Sequence, residues 1–157
     1  MHEIDFTTMT DVHPANEILT MMRALYTEDN PASIVDHRRF PSTIELLLEE
    51  PSRGRIVLFT KGESIHGYSL LIPYWSNEFG GTILWVDELF VVSKSRNCGI
   101  GHRFFEFLDR ERPFNAVAIA LEVSPVNVRA HRFYESLGFS QRSNAMLTYR
   151  FPSAAVA

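Results

Sequence analysis

The chain has 157 residues, a formal net charge of −4, 45% apolar and 22% charged residues, and one cysteine, Cys98. Its length predicts one domain over 1–157, large enough to bury roughly two-thirds of the surface of the unfolded chain without disulfides. Mild acidity without a Lys/Arg run speaks against a nucleic-acid partner, a lone cysteine excludes an intrachain disulfide or CxxC site, and no apolar run nears the roughly 20 residues that span a bilayer.

In chain order, Glu3 to Thr8 is a short strand candidate, and Asp11 to Glu28 carries Ile18, Met21, Met22 and Leu25 at helical spacing. A polar loop from Asp29 to Ser33 leads to a second helical piece, with Pro41 near its start, Ile44, Leu47 and Leu48 on one face, and Pro51 at its end. The period then changes. Arg55 to Thr60 and Ile65 to Trp75 read as strands joined by Lys61-Gly62-Glu63-Ser64, and Thr82 to Val92 follows after Gly80-Gly81. Gly101 to Glu111 predicts a helix, Ala116 to Val123 a buried strand, Val126 to Leu137 a helix stopped by Gly138, and Ala145 to Phe151 a last strand. Residues from Pro152 to Ala157 read as a frayed tail. The order predicts an α/β domain whose sheet is antiparallel early and has a βαβ crossover late.

The most informative stretch runs from Leu84 to Gly101, where a strand ends, a polar loop follows, and a helix opens on Arg96-x-x-Gly99-x-Gly101. Residues without a Cβ let backbone approach an anion, and the unpaired N–H groups of a first helical turn point at it. Arg96 adds a positive charge, so pyrophosphate suits such a turn; a glycine-rich helix start with no ligand is the plain alternative. The spacing is neither GxGxxG nor GxxxxGK[ST].

Ser124-Pro125 predicts the start of the later helix, with Ser124 as N-cap. Asn127 and Tyr134 then point almost the same way, about 10.5 Å apart along the axis. That span suits a grip on an extended ligand at two points, but by themselves Asn127 reads rather as a capping residue and Tyr134 as a core aromatic.

Arg96-x-x-Gly99-x-Gly101, followed by Asn127-x-x-Ala130-x-x-Phe133-Tyr134-x-x-Leu137-Gly138-Phe139, resembles the paired motifs of the GNAT superfamily of N-acetyltransferases. Asp87-Glu88-Leu89-Phe90-Val91 is similar to that family's strand before the pyrophosphate loop. The resemblance is strongest from Leu84 to Phe139. It implies a mixed, mostly antiparallel central sheet flanked by helices, and acetyl-CoA as the acetyl donor. It also implies that the main chain of Phe90, Val91 and Val92 pairs with the pantetheine arm. The amides of Asn97, Cys98, Gly99, Ile100, Gly101 and His102 would hold the pyrophosphate. Asn127 would bond the pantetheine, and Tyr134 would sit near the sulfur.

Acetylating an alkylamine of pKa about 10.4 requires the neutral form, a handicap of roughly 4.6 kcal/mol at neutral pH that a positioned base reduces. Asp87 and Glu88 are the candidates, and strand alternation puts them on opposite faces. The family's acidic residue lies nine positions before the motif arginine, which favours Asp87. Tyr134 is the candidate acid for a thiolate of pKa about 8.5, and a backbone N–H near Val91 the oxyanion donor.

The resemblance places the acceptor among the first two helices and the central strands. Tyr26, Glu28 and Asp29 come from the first region, and Trp75, Glu78 and Trp85 from the second. Carboxylates near aromatic faces suit a small cationic amine, polyamine-like or aminoglycoside-like. The rivals are a protein or peptide amine, which needs an open groove, and a non-catalytic CoA-binding module. His2, His13, His37, His66, His102 and His131 show no paired ligand spacing, so no metal is expected. The resemblance adds a homodimer, and the absence of a basic-then-apolar N-terminus makes the cytoplasm the default compartment.

Overall fold

The structure is a computed structural model and describes residues 3–29 and 34–152. Residues 30–33 of the expected polar loop and 153–157 of the expected tail lie outside the described residues, as does His2. Five strands form one sheet in the order β1-β2-β3-β4-β5. They are β1 (Asp5–Thr8), β2 (Arg55–Lys61), β3 (Ser64–Ser76), β4 (Gly81–Val91) and β5 (Ala118–Leu121). The first four run as an antiparallel meander, and β5 lies parallel to β4. The four α-helices among the described residues are α1 (Ala15–Asp29), α2 (Phe40–Glu49), α3 (Ile100–Glu111) and α4 (Val128–Ser136). None is long and apolar enough to cross a membrane.

Period-two alternation on the central strands feeds two cores. Ile56, Leu58, Tyr68 and Leu70 meet Ile18 and Met22 of α1 and Ile44 and Leu47 of α2. Val57, Phe59, Leu71 and Leu84 meet Ile100, Phe104, Phe105 and Leu108 of α3. Phenylalanines dominate this second core: the Phe59 and Phe104 ring centroids lie 4.7 Å apart, and Phe6 meets Phe59 edge-on at 5.1 Å.

Alternation breaks once where it matters. In the β3–β4 register Leu70 faces Glu88 and Leu71 faces Val86, which leaves Asp87 as the extra residue of a bulge. Before the bulge, Leu84 and Val86 join the α3 core; after it, Phe90 joins the α1–α2 core, so even-numbered residues change faces. The last β4–β5 pair, Val86 with Leu121, falls at the same point. A bulge bends the strand that carries it. From Asp87 onward the outer edge of β4 has no strand beside it among the described residues, and a cleft opens there.

The expected strand from Ala145 to Phe151 does not form. Residues 140–152 run without helix or strand, and Leu147 is 91% and Phe151 83% exposed. Strand propensity reports how well a residue fits a ladder, and this segment meets no ladder. Arg142 instead ties its start to Glu78 beside the β3–β4 turn, at 2.8 Å.

Candidate active site

The cleft encloses about 930 Å³ between the free edge of β4, the turn that follows, the start of α3, α4 and the end of α1. A 3₁₀ turn over Ser93–Ser95 leaves the strand, and Asn97 (φ 63°) and Gly99 (φ 74°) take left-handed conformations. Gly99 is the N-cap of α3 and has no side chain with which to cap it, so among the described residues the first-turn amides lack a side-chain acceptor. Those unsatisfied donors line the cleft and suit an anion such as pyrophosphate. Buried Ser95 is anchored by His66 of β3, Nδ1 to Oγ 2.7 Å, a pairing that no local spacing foretold.

Gly101 serves packing. A Cβ there would sit 2.7 Å from Cζ of Phe133, whose ring is boxed in by His102 and Tyr134 at centroid distances of 5.1 Å each. Gly101→Ala should therefore lower stability by about 1–3 kcal/mol, the usual range for overpacking, read as a fall in Tm by scanning calorimetry. An unchanged Tm would show that α4 can shift freely on α3.

Two residues expected to face the cofactor are engaged within the chain. The Arg96 guanidinium donates from Nε to the Val91 carbonyl at 2.8 Å and from Nη2 to Glu28 at 2.7 Å, so its charge ties β4 to α1. Asn127, and not Ser124, caps α4: its Oδ1 accepts from the Ala130 amide at 3.1 Å. The helix starts later than its Ser-Pro signal because the segment from Ser124 to Asn127 closes as a turn, with the Asn127 amide bonded to the Ser124 carbonyl at 2.9 Å. Asn127 Nδ2 reaches Asp29 at 3.4 Å. The end of α1 is thus linked to both walls of the cleft. Of the expected cofactor residues, Phe90, Val91, Arg96 and Asn97 line the cleft, as do Gly99 to His102 and Asn127, whereas Val92 and Cys98 lie outside its lining.

Glu88 of β4 has a buried carboxyl, 6% exposed. Tyr26 Oη donates to its Oε1 at 2.9 Å and Tyr68 Oη to its Oε2 at 2.7 Å. Burial pushes the Glu88 carboxyl above the usual carboxylate range, the two tyrosine hydrogen bonds pull it back, and the charge of Asp87 raises it again. Burial, then the charge of Glu88, drives both tyrosines far above the ordinary phenol, so both remain donors. Asp87 is exposed and accepts from Trp85 Nε1 at 3.0 Å. Because of the bulge, Asp87 and Glu88 line the same clefts and are not divided between the two faces as alternation predicts. Tyr134 lines the first cleft beside them, its hydroxyl pushed up to about 12 by burial and then by Asp29.

A second cleft of about 870 Å³ lies under α2. Among the described residues, Tyr26, Asp87 and Glu88 alone line both. Of the residues expected around the acceptor, Tyr26 stands at this shared wall, and Glu28 and Asp29 line only the first cleft. Trp75, Glu78 and Trp85 line neither: Trp75 is 70% exposed, and Glu78 is held by Arg142.

Residues 19–139 match the acetyltransferase (GNAT) family. The chain belongs to that family, whose members use acetyl-CoA, and it is an acetyltransferase. Its fold is also that of a possible acetyltransferase from Clostridium difficile 630, with TM-score 0.82 and 20% identity over 95% of this chain and 98% of the other. The ribosomal-protein-alanine N-acetyltransferase of Brucella melitensis biovar Abortus 2308 aligns with TM-score 0.71 and 15% identity, over 95% of this chain and 100% of its own. The aminoglycoside N-acetyltransferase AAC(6')-Iy, solved in complex with CoA, aligns with TM-score 0.71 and 14% identity over 96% of each. No curated protein sequence matches the chain.

Proposed function

We propose that the protein transfers an acetyl group to a primary amine that enters through the second cleft, with Glu88 as the base. One observation carries this reading: a buried carboxylate, gripped at both oxygens by tyrosine hydroxyls, stands in the wall that the two clefts share. When bound, acetyl-CoA supplies the acetyl group already activated as a thioester. The uncapped first turn of α3 would hold its diphosphate, and the free edge of β4 from Asp87 to Val91 would take the pantetheine arm as an added strand.

The chain's own groups divide the proton work. Glu88, its carboxyl raised by burial above the usual carboxylate range, accepts a proton from the ammonium directly or through water. Tyr26 and Tyr68 fix both carboxylate oxygens so that the base does not need to be ordered during the reaction. Tyr134 keeps its proton at Oη through neutral pH, the form required of a donor at the other cleft. A small cationic amine would find Asp87 and Glu88 here, while Glu28 and Glu78 are already paired with Arg96 and Arg142.

The test is thiol release from acetyl-CoA in the presence of primary amines. Tight CoA binding without turnover of any amine would leave a binding module. The pH profile tests the base. The acid limb of kcat/KM follows loss of the Glu88 proton, and Tyr26→Phe removes a hydrogen bond that favours the anion. The Glu88 pKa then rises, and the acid limb moves to higher pH. An acid limb that stays in place in Tyr26→Phe would separate Glu88 from the rate.

A further inference from the structure

The second cleft is polarised. Asp87 and Glu88 lie in its wall toward the first cleft, yet four arginines, Arg38, Arg39, Arg53 and Arg150, line the rest, and none of them lines the first cleft. Their charge is only half compensated. Asp36 takes Arg38 through two bonds, at 2.8 and 3.0 Å, and Arg39 reaches the same carboxylate only at 3.8 Å. Arg53 bonds Glu50 at 3.3 Å, and Arg150 has no ion-pair partner among the described residues. Two carboxylates thus face four guanidinium groups, which leaves two positive charges. Between the two ends the cleft is apolar, with Leu46, Leu47, Leu70 and Ile72 in its lining.

A polyamine suits such a cleft poorly, because its second ammonium would meet arginines. We infer that the acceptor is a primary amine whose own chain ends in an anionic oxo group, a carboxylate or a phosphate. The amine would point to Asp87 and Glu88, and the anion to the arginines that Asp36 and Glu50 leave uncompensated. Guanidinium groups recognise both anions through paired N–H donors, so the chemistry shared by the two is the prediction. This inference rests on the transferase reading above.

The experiment compares kcat/KM by thiol release for matched acceptors at two chain lengths. One set is ethylamine, β-alanine and phosphoethanolamine; the other is pentylamine, ω-aminovalerate and aminopentyl phosphate, with cadaverine as the dication. At least one anionic acceptor should exceed its uncharged counterpart by about ten-fold or more, and the better arm identifies carboxylate or phosphate. In Arg39→Met and Arg150→Met that preference ratio should shrink in at least one variant, with acetyl-CoA binding by calorimetry reporting that the variant is folded. Cadaverine or the plain alkylamines matching every anionic acceptor would overturn the inference and leave the transferase reading intact. So would a ratio that neither arginine substitution moves. CoA binding without acetylation of any amine would remove both together.

Discussion

Glu88→Gln is expected to lower kcat by about 10²–10⁴-fold, the range for loss of a positioned base, with little change in the affinity for CoA. Glutamine keeps the shape of the side chain and can still accept from one tyrosine hydroxyl while donating to the other, so the fold around it should survive. What it cannot do is take a proton. The companion variant, Asp87→Asn, alters an exposed side chain that accepts one bond from Trp85, and its loss should be much smaller. Steady-state thiol release gives kcat for both variants, and calorimetry gives the CoA affinity. The reverse ranking, with Asp87→Asn crippled and Glu88→Gln near wild type, would transfer the role of base to Asp87.

Tyr134→Phe should reduce kcat by about 10²-fold, the lower end for loss of an acid–base group, and leave KM for acetyl-CoA nearly unchanged. The aromatic ring does the packing, with centroids 5.8 Å from Phe105, 5.1 Å from Phe133 and 5.6 Å from Phe139, and phenylalanine retains all of it. Only the hydroxyl is lost. Because burial and Asp29 hold that hydroxyl's pKa at about 12, it keeps its proton through the neutral range. Full kcat in Tyr134→Phe would take the tyrosine out of the proton work and leave it as a wall of the cleft.

Much of the architecture was legible because its signals are local. The helical spacing of Ile18, Met21 and Met22 placed α1, and the turn around Lys61 to Ser64 placed the β2–β3 hairpin, since both depend on neighbours within a few residues. Arg96-x-x-Gly99-x-Gly101 marked the uncapped helix start because the left-handed cap and the amides it exposes are contiguous in the chain. Local signals also misled. Ala145 to Phe151 has strand composition, but a strand needs an edge to pair with, and propensity does not supply one. Ser124-Pro125 looks like a helix start, but the chain closes a turn there and begins the helix at Val128, capped by Asn127.

Which carboxylate is buried could not be read in the same way. Alternation treated Asp87 and Glu88 as facing opposite sides, and a bulge seen only in the pairing with β3 cancelled that rule. Tyr68 shares its strand with other hydroxyls, those of Ser69 and Tyr74 among them, and nothing local tied it to Glu88. The sequence by itself determined the family, the turn that suits a diphosphate, and the pair of carboxylates beside it, because each is written within one continuous stretch. The tertiary structure alone decided which carboxylate is buried and held. Its partners come from 62 and 20 residues away, and strand register and helix packing, not spacing, bring three side chains to one point.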